Sequence, residues 1–90
     1  MESWTGLTVS EVLASCGTPY DEIALVDEPP GKLRAVELEC RTSVPPRRVV
    51  LELRYHPGLF SPTRAWTREL VEAQVVSRVL SEHDFRERGE

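Results

Sequence analysis

The sequence predicts a small α+β domain in which one short N-terminal helix packs on an antiparallel sheet of three to four strands. Three observations predict this fold class: a capped helical segment near the N-terminus, two later segments of alternating apolar and polar residues, and a length of only 90 residues. A chain of this length has room for one hydrophobic core. We therefore expect a single domain over residues 1–82, followed by a charged tail, residues 83–90, that frays.

The predicted helix covers residues 9–16. Thr8 and Glu11 have the spacing of a capping box, in which each side chain accepts a hydrogen bond from the backbone N–H of the other. Gly17 is predicted to end the helix in the left-handed conformation, and Pro19 prevents it from resuming. Because a helix of two turns is not stable alone in water, it must dock against another element through its apolar face.

Two segments with a period of two predict an antiparallel pair of strands. Over residues 33–41 and again over 47–55, one set of alternate side chains is mostly apolar and the other is mostly charged. Leu33 falls on the charged side of this pattern. Residues 23–26 form a further short apolar run. The charges on the polar face have both signs, so we expect pairing between neighbouring strands.

The C-terminal third allows two arrangements. Ser61 and Pro62 have the pattern of a cap followed by a proline in the first helical turn, yet one long helix over 62–82 would be poorly amphipathic. The β-branched residues of 71–80 alternate as in a strand. We therefore predict a helical turn near 62–68 and a strand over 71–80, with a single helix as the alternative.

Composition and charge exclude several classes of protein. The 11 basic and 15 acidic residues give a net charge of −4, which argues against a general binder of nucleic acids or anionic membranes. No apolar stretch approaches the ~20 residues that cross a bilayer. The N-terminal residues lack the pattern of a signal peptide or a lipobox. These features predict a cytoplasmic protein with no membrane span, with a domain excised from a periplasmic protein as the alternative.

The helical segment is similar to a motif of one known family. Its matching residues are Gly6-Leu7-Thr8, Glu11-Val12 and, three residues later, Cys16-Gly17-Thr18-Pro19. This spacing resembles the helix motif of SmpA/BamE-like domains, small α+β modules whose arrangement is shared by domains of the β-lactamase-inhibitor-protein type. The resemblance covers residues 6–19 and implies a helix packed across an antiparallel sheet in a non-catalytic domain with an assembly or accessory role. Cys16 stands where the family usually has leucine.

The cysteines and histidines do not form a pattern of catalytic, cofactor-binding or metal-ligating residues. Cys16 is predicted to lie on the apolar face of the helix, so we interpret it, like Cys40, as a small buried apolar residue. One alternative is a thiol-dependent redox protein or small enzyme subunit that uses Cys16. A disulfide between the two cysteines is geometrically feasible if the helix lies over the strand, but the missing signal peptide disfavours it. His56 and His83 lack clustered partners, so we predict no metal and no cofactor.

The strands also contain five arginines that allow a third hypothesis, a nucleic-acid-binding sheet: Arg34, Arg41, Arg47, Arg48 and Arg54. Glutamates interleave with these arginines along both strands. A sheet that binds RNA also needs exposed aromatic side chains for stacking, and these are scarce here. We therefore expect no nucleic-acid partner.

Three large apolar residues lie on the connection after the second alternating segment: Leu59, Phe60 and Trp66. Aromatic and large apolar side chains on a connection are typical anchors of protein interfaces. The alternative is that they fold back and cover one end of the core. We predict a protein-interaction domain that binds an unidentified protein partner through the sheet surface or through the loop 56–66, where these three residues are the candidate partner-binding residues. An exposed strand edge would also allow a homodimer by strand pairing.

Overall fold

The computed structural model describes residues 4–27 and 30–81, and their arrangement confirms the predicted α+β fold class. The elements in chain order are helix α1 (Val9–Cys16), strands β1 (Ala24–Val26), β2 (Ala35–Cys40) and β3 (Arg47–Leu53), helix α2 (Arg68–Glu72) and strand β4 (Val76–Ser81). The four strands form one antiparallel sheet in the order β1-β2-β3-β4. The predicted tail, residues 83–90, lies outside the described residues.

Helix α1 has the predicted start and end. The Thr8 hydroxyl accepts a hydrogen bond from the Glu11 N–H at 3.2 Å, and the Glu11 carboxylate accepts one from the Thr8 N–H at 2.9 Å. Gly17 ends the helix with φ of 64°, in the left-handed region that favours glycine.

In the part of the chain that the structure describes, no helix is long and apolar enough to cross a membrane.

The core lies between α1 and one face of the sheet. Its members on these elements are Val9, Val12, Leu13 and Cys16 from α1 and Val36, Leu38, Cys40, Val49 and Leu51 from the sheet. The apolar side of the alternation predicted for β2 and β3 therefore faces the core, but Ala35 and Val50, on the charged side, are buried as well. The alternation also misplaces Leu33. It predicts Leu33 on the charged side of the sheet, but the side chain is fully buried in the core. The strand begins only at Ala35, so the period of two does not extend back to Leu33.

The other face of the sheet carries charges of both signs on neighbouring strands. Arg48 on β3 lies 3.7 Å from Glu37 on β2. Arg78 on β4 lies 3.4 Å from Glu52 on β3. These cross-strand pairs agree with the mixed-sign face that the sequence predicts, and each partly exposed pair contributes little stability by itself.

The helical turn of the C-terminal third lies later than predicted, at Arg68–Glu72 instead of 62–68. Ser61 begins a turn, in which its carbonyl accepts a hydrogen bond from the Arg64 N–H at 2.9 Å. Thr67 caps α2 instead, because its hydroxyl accepts from the Leu70 N–H at 3.1 Å. The pattern of a cap followed by proline therefore marks a turn here.

The predicted strand over 71–80 starts later, since β4 begins at Val76. Val71 belongs to α2 and is fully buried there. The valine-rich composition of this segment correctly indicates that it is buried. It does not distinguish a helix from a strand, because a short apolar run is typical of both when they are buried. The observed order, a short helix followed by a strand, also excludes the alternative of one continuous helix.

Cys16 and Cys40 form a disulfide, which corrects the interpretation of both as free buried side chains. Their Cα atoms are 4.6 Å apart. Two hydrogen bonds bring the end of α1 onto the end of β2: the Thr18 hydroxyl donates to the Glu39 carbonyl at 2.6 Å, and the Arg41 N–H donates to the Cys16 carbonyl at 3.0 Å. The geometric condition for the disulfide, a helix lying over that strand, is therefore met.

Candidate functional site

The three residues predicted to bind a partner occupy different environments. Leu59 is only 3% exposed and belongs to the core. Phe60, the next residue, is 64% exposed. Trp66 is half-buried and packs against the core. Leu59 therefore agrees with the alternative prediction, in which the residue folds back onto the core. The surface available to a partner consists of Phe60 and the exposed part of Trp66.

Hydrogen bonds hold the backbone on each side of Phe60. The Leu33 N–H donates to the Leu59 carbonyl at 2.9 Å, and the Ser61 N–H donates to the Gly31 carbonyl at 2.6 Å, so the two segments run antiparallel. Gly31 has φ of 91°, and a Cβ atom there would lie 3.1 Å from the Ser61 carbonyl oxygen. Glycine is therefore needed for this close approach.

Trp66 fixes the same segment through its indole. Its Nε1–H donates to the Leu59 carbonyl at 2.9 Å. The Leu59 carbonyl thus accepts from two donors, the Trp66 indole and the Leu33 N–H. Because this carbonyl belongs to the peptide unit that joins Leu59 to Phe60, Trp66 helps to position the exposed phenyl ring.

His56 caps the 3₁₀ turn Pro57–Leu59 that leads to Phe60. Its Nδ1 accepts a hydrogen bond from the Gly58 N–H at 2.9 Å. His56 therefore has a role in local structure. Across 4–27 and 30–81, no group of three histidine, cysteine, aspartate or glutamate residues is placed to hold a metal ion. His83 lies outside the described residues.

A shallow groove of about 470 Å³ lies beside this segment, and its lining residues are Leu25, Asp27, Arg64, Ala65, Trp66 and Thr67. Arg64 reaches across it, and its Nε–H donates to the Asp27 carboxylate at 2.5 Å. This hydrogen bond lowers the pKa of Asp27 below its ordinary value and raises the pKa of Arg64. The ion pair connects the end of β1 to the turn that follows Phe60.

We predict that Asp27→Asn changes the dependence of stability on pH. Because the folded-state pKa of Asp27 is lowered, its ionised form stabilises the fold above the unfolded-state pKa of about 4. This contribution disappears as the pH falls through the lower, folded-state pKa. The stability difference between wild type and variant, measured by urea unfolding at a series of pH values, should shrink toward acid.

The matched control for this experiment is Asp21→Asn, which replaces an exposed aspartate of the 3₁₀ turn Tyr20–Glu22. Asp21 has no ion pair among the described residues. We expect this control to follow the pH dependence of the wild type. A difference between wild type and Asp27→Asn that stays constant with pH would contradict the prediction.

The five strand arginines and the two cysteines are not among the residues that line this groove. Arg41 forms an ion pair with Glu22, and Arg48 pairs with Glu37, so carboxylates accompany two of the five strand arginines. Cys16 is fully buried in the disulfide, and neither cysteine provides a free thiol. The two cysteines, Arg41 and Arg48 therefore have structural partners of their own.

Sequence reasoning missed the residues that hold Phe60 in place. Gly31 and Leu33 come from the segment before β2, and no local pattern indicates that they pair with residues 59–61. The only available signals were the glycine after two prolines, which indicates a turn, and the apolar Leu33 on the wrong side of the alternation.

A comparison of the chain with protein-family models, curated proteins and solved structures finds no match. The resemblance of residues 6–19 to SmpA/BamE-like domains therefore has only those residues as its basis. The exposed aromatic residue and the backbone that fixes it are the features from which a function can be inferred.

Proposed function

We propose that the protein is a non-catalytic protein-interaction domain of the SmpA/BamE-like type with an assembly or accessory role. In this proposal Phe60 is the central anchor of the surface that meets a protein partner. One observation supports it above all others: a large apolar side chain is 64% exposed on a backbone that hydrogen bonds fix on both sides. Buried aromatic anchors provide a large share of binding energy at protein interfaces.

The fixed backbone matters because binding is opposed by the entropy lost when flexible groups become ordered. Most of this loss is already incurred on folding for the residues around Phe60, since Leu59 is in the core and Ser61 is bonded to Gly31. A partner that covers the phenyl ring therefore gains apolar burial at little further entropic cost. An exposed aromatic residue on a loose loop would lack this advantage.

The surroundings of Phe60 extend the proposed surface. Lys32 lies opposite Phe60 in the antiparallel bridge and is exposed. The neighbouring groove lined by Trp66 and Leu25 adds apolar area, and the Asp27–Arg64 pair adds charge to the same surface. An aromatic centre with a polar and charged border is typical of protein interfaces.

We predict that Phe60→Ala weakens partner binding at least about tenfold, because truncation of a central anchor typically costs about 2 kcal/mol or more and about 1.4 kcal/mol is already tenfold. The free energy of unfolding should change by no more than about 0.5 kcal/mol, since the side chain is mostly exposed. The partner is first identified by affinity capture with the wild-type chain and mass spectrometry. Its affinity for wild type and variant is then measured by calorimetry, and urea unfolding gives their stability.

Two exposed apolar residues provide matched controls. Tyr55 is 75% exposed near the same end of the sheet, and Val44 is 97% exposed beyond the other end of β2. We expect Val44→Ala to leave the affinity unchanged and Tyr55→Ala to have less effect than Phe60→Ala. Equal affinities of wild type and Phe60→Ala would contradict the proposal.

A further inference from the structure

Strand β4 forms one edge of the sheet, and the described chain covers only its beginning. The Gly6 N–H donates to the Val76 carbonyl at 2.8 Å, and the Val76 N–H donates to the Leu7 carbonyl at 2.8 Å. Thr8 forms a bridge with Val75. Farther along β4, no group within 4–27 or 30–81 is hydrogen-bonded to Val79 from this side.

The register shows which way the backbone groups of Val79 point. The Leu53 N–H donates to the Arg34 carbonyl at 3.1 Å, so the odd-numbered residues of β3 bond to β2. The even-numbered residues of β3 therefore bond to β4, where their register partners are Arg78 and Leu80. Val79 lies between these two partners. Its N–H and C=O thus point away from β3, toward the edge that the described residues leave uncovered.

The two edges of the sheet differ in their protection. Strand β1 has only three residues, and the Arg64–Asp27 pair lies beside its end. Strand β4 has six residues and contains neither lysine nor proline. Its one charged residue, Arg78, pairs with Glu52 of the adjacent strand. Short length, lysine and proline are the usual means by which edges avoid pairing, so β4 is the less protected edge.

The sequence of this edge is self-complementary in an antiparallel pair. Residues 77–81 read Ser-Arg-Val-Leu-Ser, with Val79 at the centre. In an antiparallel pair with a twofold axis at Val79, each Ser77 lies opposite a Ser81, each Arg78 lies opposite a Leu80, and the two Val79 residues face each other. No like charges are directly opposed, and Val79 and Leu80, both half-buried, gain apolar contact.

We propose that β4 pairs antiparallel with the β4 strand of a second copy of this chain, with the twofold axis at Val79. The two sheets then form one continuous sheet, and the outward N–H and C=O of Val79 find partners. This interface is separate from the surface around Phe60, so the homodimer and the protein-interaction function can fail independently.

The first test measures the molar mass of the wild type by size-exclusion chromatography with light scattering, from about 1 µM to 1 mM. We expect the mass to rise toward twice that of the chain. Val79→Pro removes the outward N–H and leaves the β3 bonds of Arg78 and Leu80 in place, so it should stay monomeric. Val79→Thr keeps this N–H and should dimerise. A wild type that stays monomeric at every concentration, or a Val79→Pro dimer, would overturn the proposal.

The second test needs no variant and therefore does not depend on whether Val79→Pro folds. Amide hydrogen exchange of the wild type is followed by NMR at low and high protein concentration. We expect exchange of the Val79 amide to slow about tenfold as the dimer forms. The Phe60 amide, which is bonded to the Pro57 carbonyl within the chain, should not change. Exchange of Val79 that is independent of concentration would overturn the proposal.

Discussion

Replacement of both Cys16 and Cys40 by alanine is expected to lower the free energy of unfolding by about 3 kcal/mol. The disulfide joins residues 24 positions apart, and closing a loop of this length removes conformational entropy from the unfolded chain. The loss is a large share of the ~5–13 kcal/mol expected for a domain of this length. Urea unfolding of wild type and double variant, both under non-reducing conditions, measures the difference.

A reducing agent provides the control for this variant. Reduction should destabilise the wild type by a similar amount and leave the double variant unchanged, because only the wild type has a disulfide to lose. This comparison separates two contributions to the free energy of unfolding: that of the covalent cross-link and that of the packing of the two buried sulfur atoms. A wild type whose unfolding is the same with and without reductant would show that the disulfide does not stabilise the fold.

Leu59→Ala is expected to destabilise the domain by about 3 kcal/mol, within the range of about 2–5 kcal/mol for large-to-small substitutions in a core. Leu59 is 3% exposed, so its truncation leaves a cavity. The neighbouring substitution Phe60→Ala should cost far less stability, because that side chain lies mostly in solvent. Urea unfolding of the two single variants tests which of two adjacent side chains belongs to the core.

A conservative substitution sharpens this test. Leu59→Met nearly conserves the volume of the side chain and should cost less than about 1.5 kcal/mol. If packing explains the loss, Leu59→Met therefore recovers most of the stability that Leu59→Ala removes. Equal effects of Leu59→Ala and Phe60→Ala on unfolding would contradict the placement of both residues.

The features that the sequence predicts well have local causes. The capping box of α1 needs only Thr8 and Glu11, and the left-handed end of the helix needs only Gly17. The alternation in β2 and β3 likewise reflects the packing of one face of each strand against the core. Such signals lie within a few residues of the elements that they define, so one sequence is sufficient to locate them.

The features that it predicts poorly depend on contacts between distant parts of the chain. Leu33 is buried because its segment pairs with residues 59–61, and Val71 is buried on a helix in a stretch rich in β-branched residues. The disulfide depends on the docking of α1 over the end of β2. The prediction of free cysteines rests on the lack of a signal-peptide pattern, which contains no information about how α1 docks on β2.

The candidate site shows the same division. An apolar cluster at Leu59, Phe60 and Trp66 is visible in the sequence, but its separation into core and surface members is not. That separation follows from the bonds that Leu33 and Trp66 make to the Leu59 carbonyl. The apolar residue types therefore indicate which segment is a candidate site. Hydrogen bonds between distant residues determine which of its side chains faces solvent.

The pairing of Gly6 and Leu7 with Val76 has a consequence for the order of folding. It joins residues near the two ends of the described chain, so its formation closes a long loop. Contacts of such high sequence separation slow folding, because the entropy of loop closure is lost before the contact forms. During synthesis on the ribosome, Gly6 and Leu7 therefore cannot form these bonds until β4 has been synthesised and has emerged.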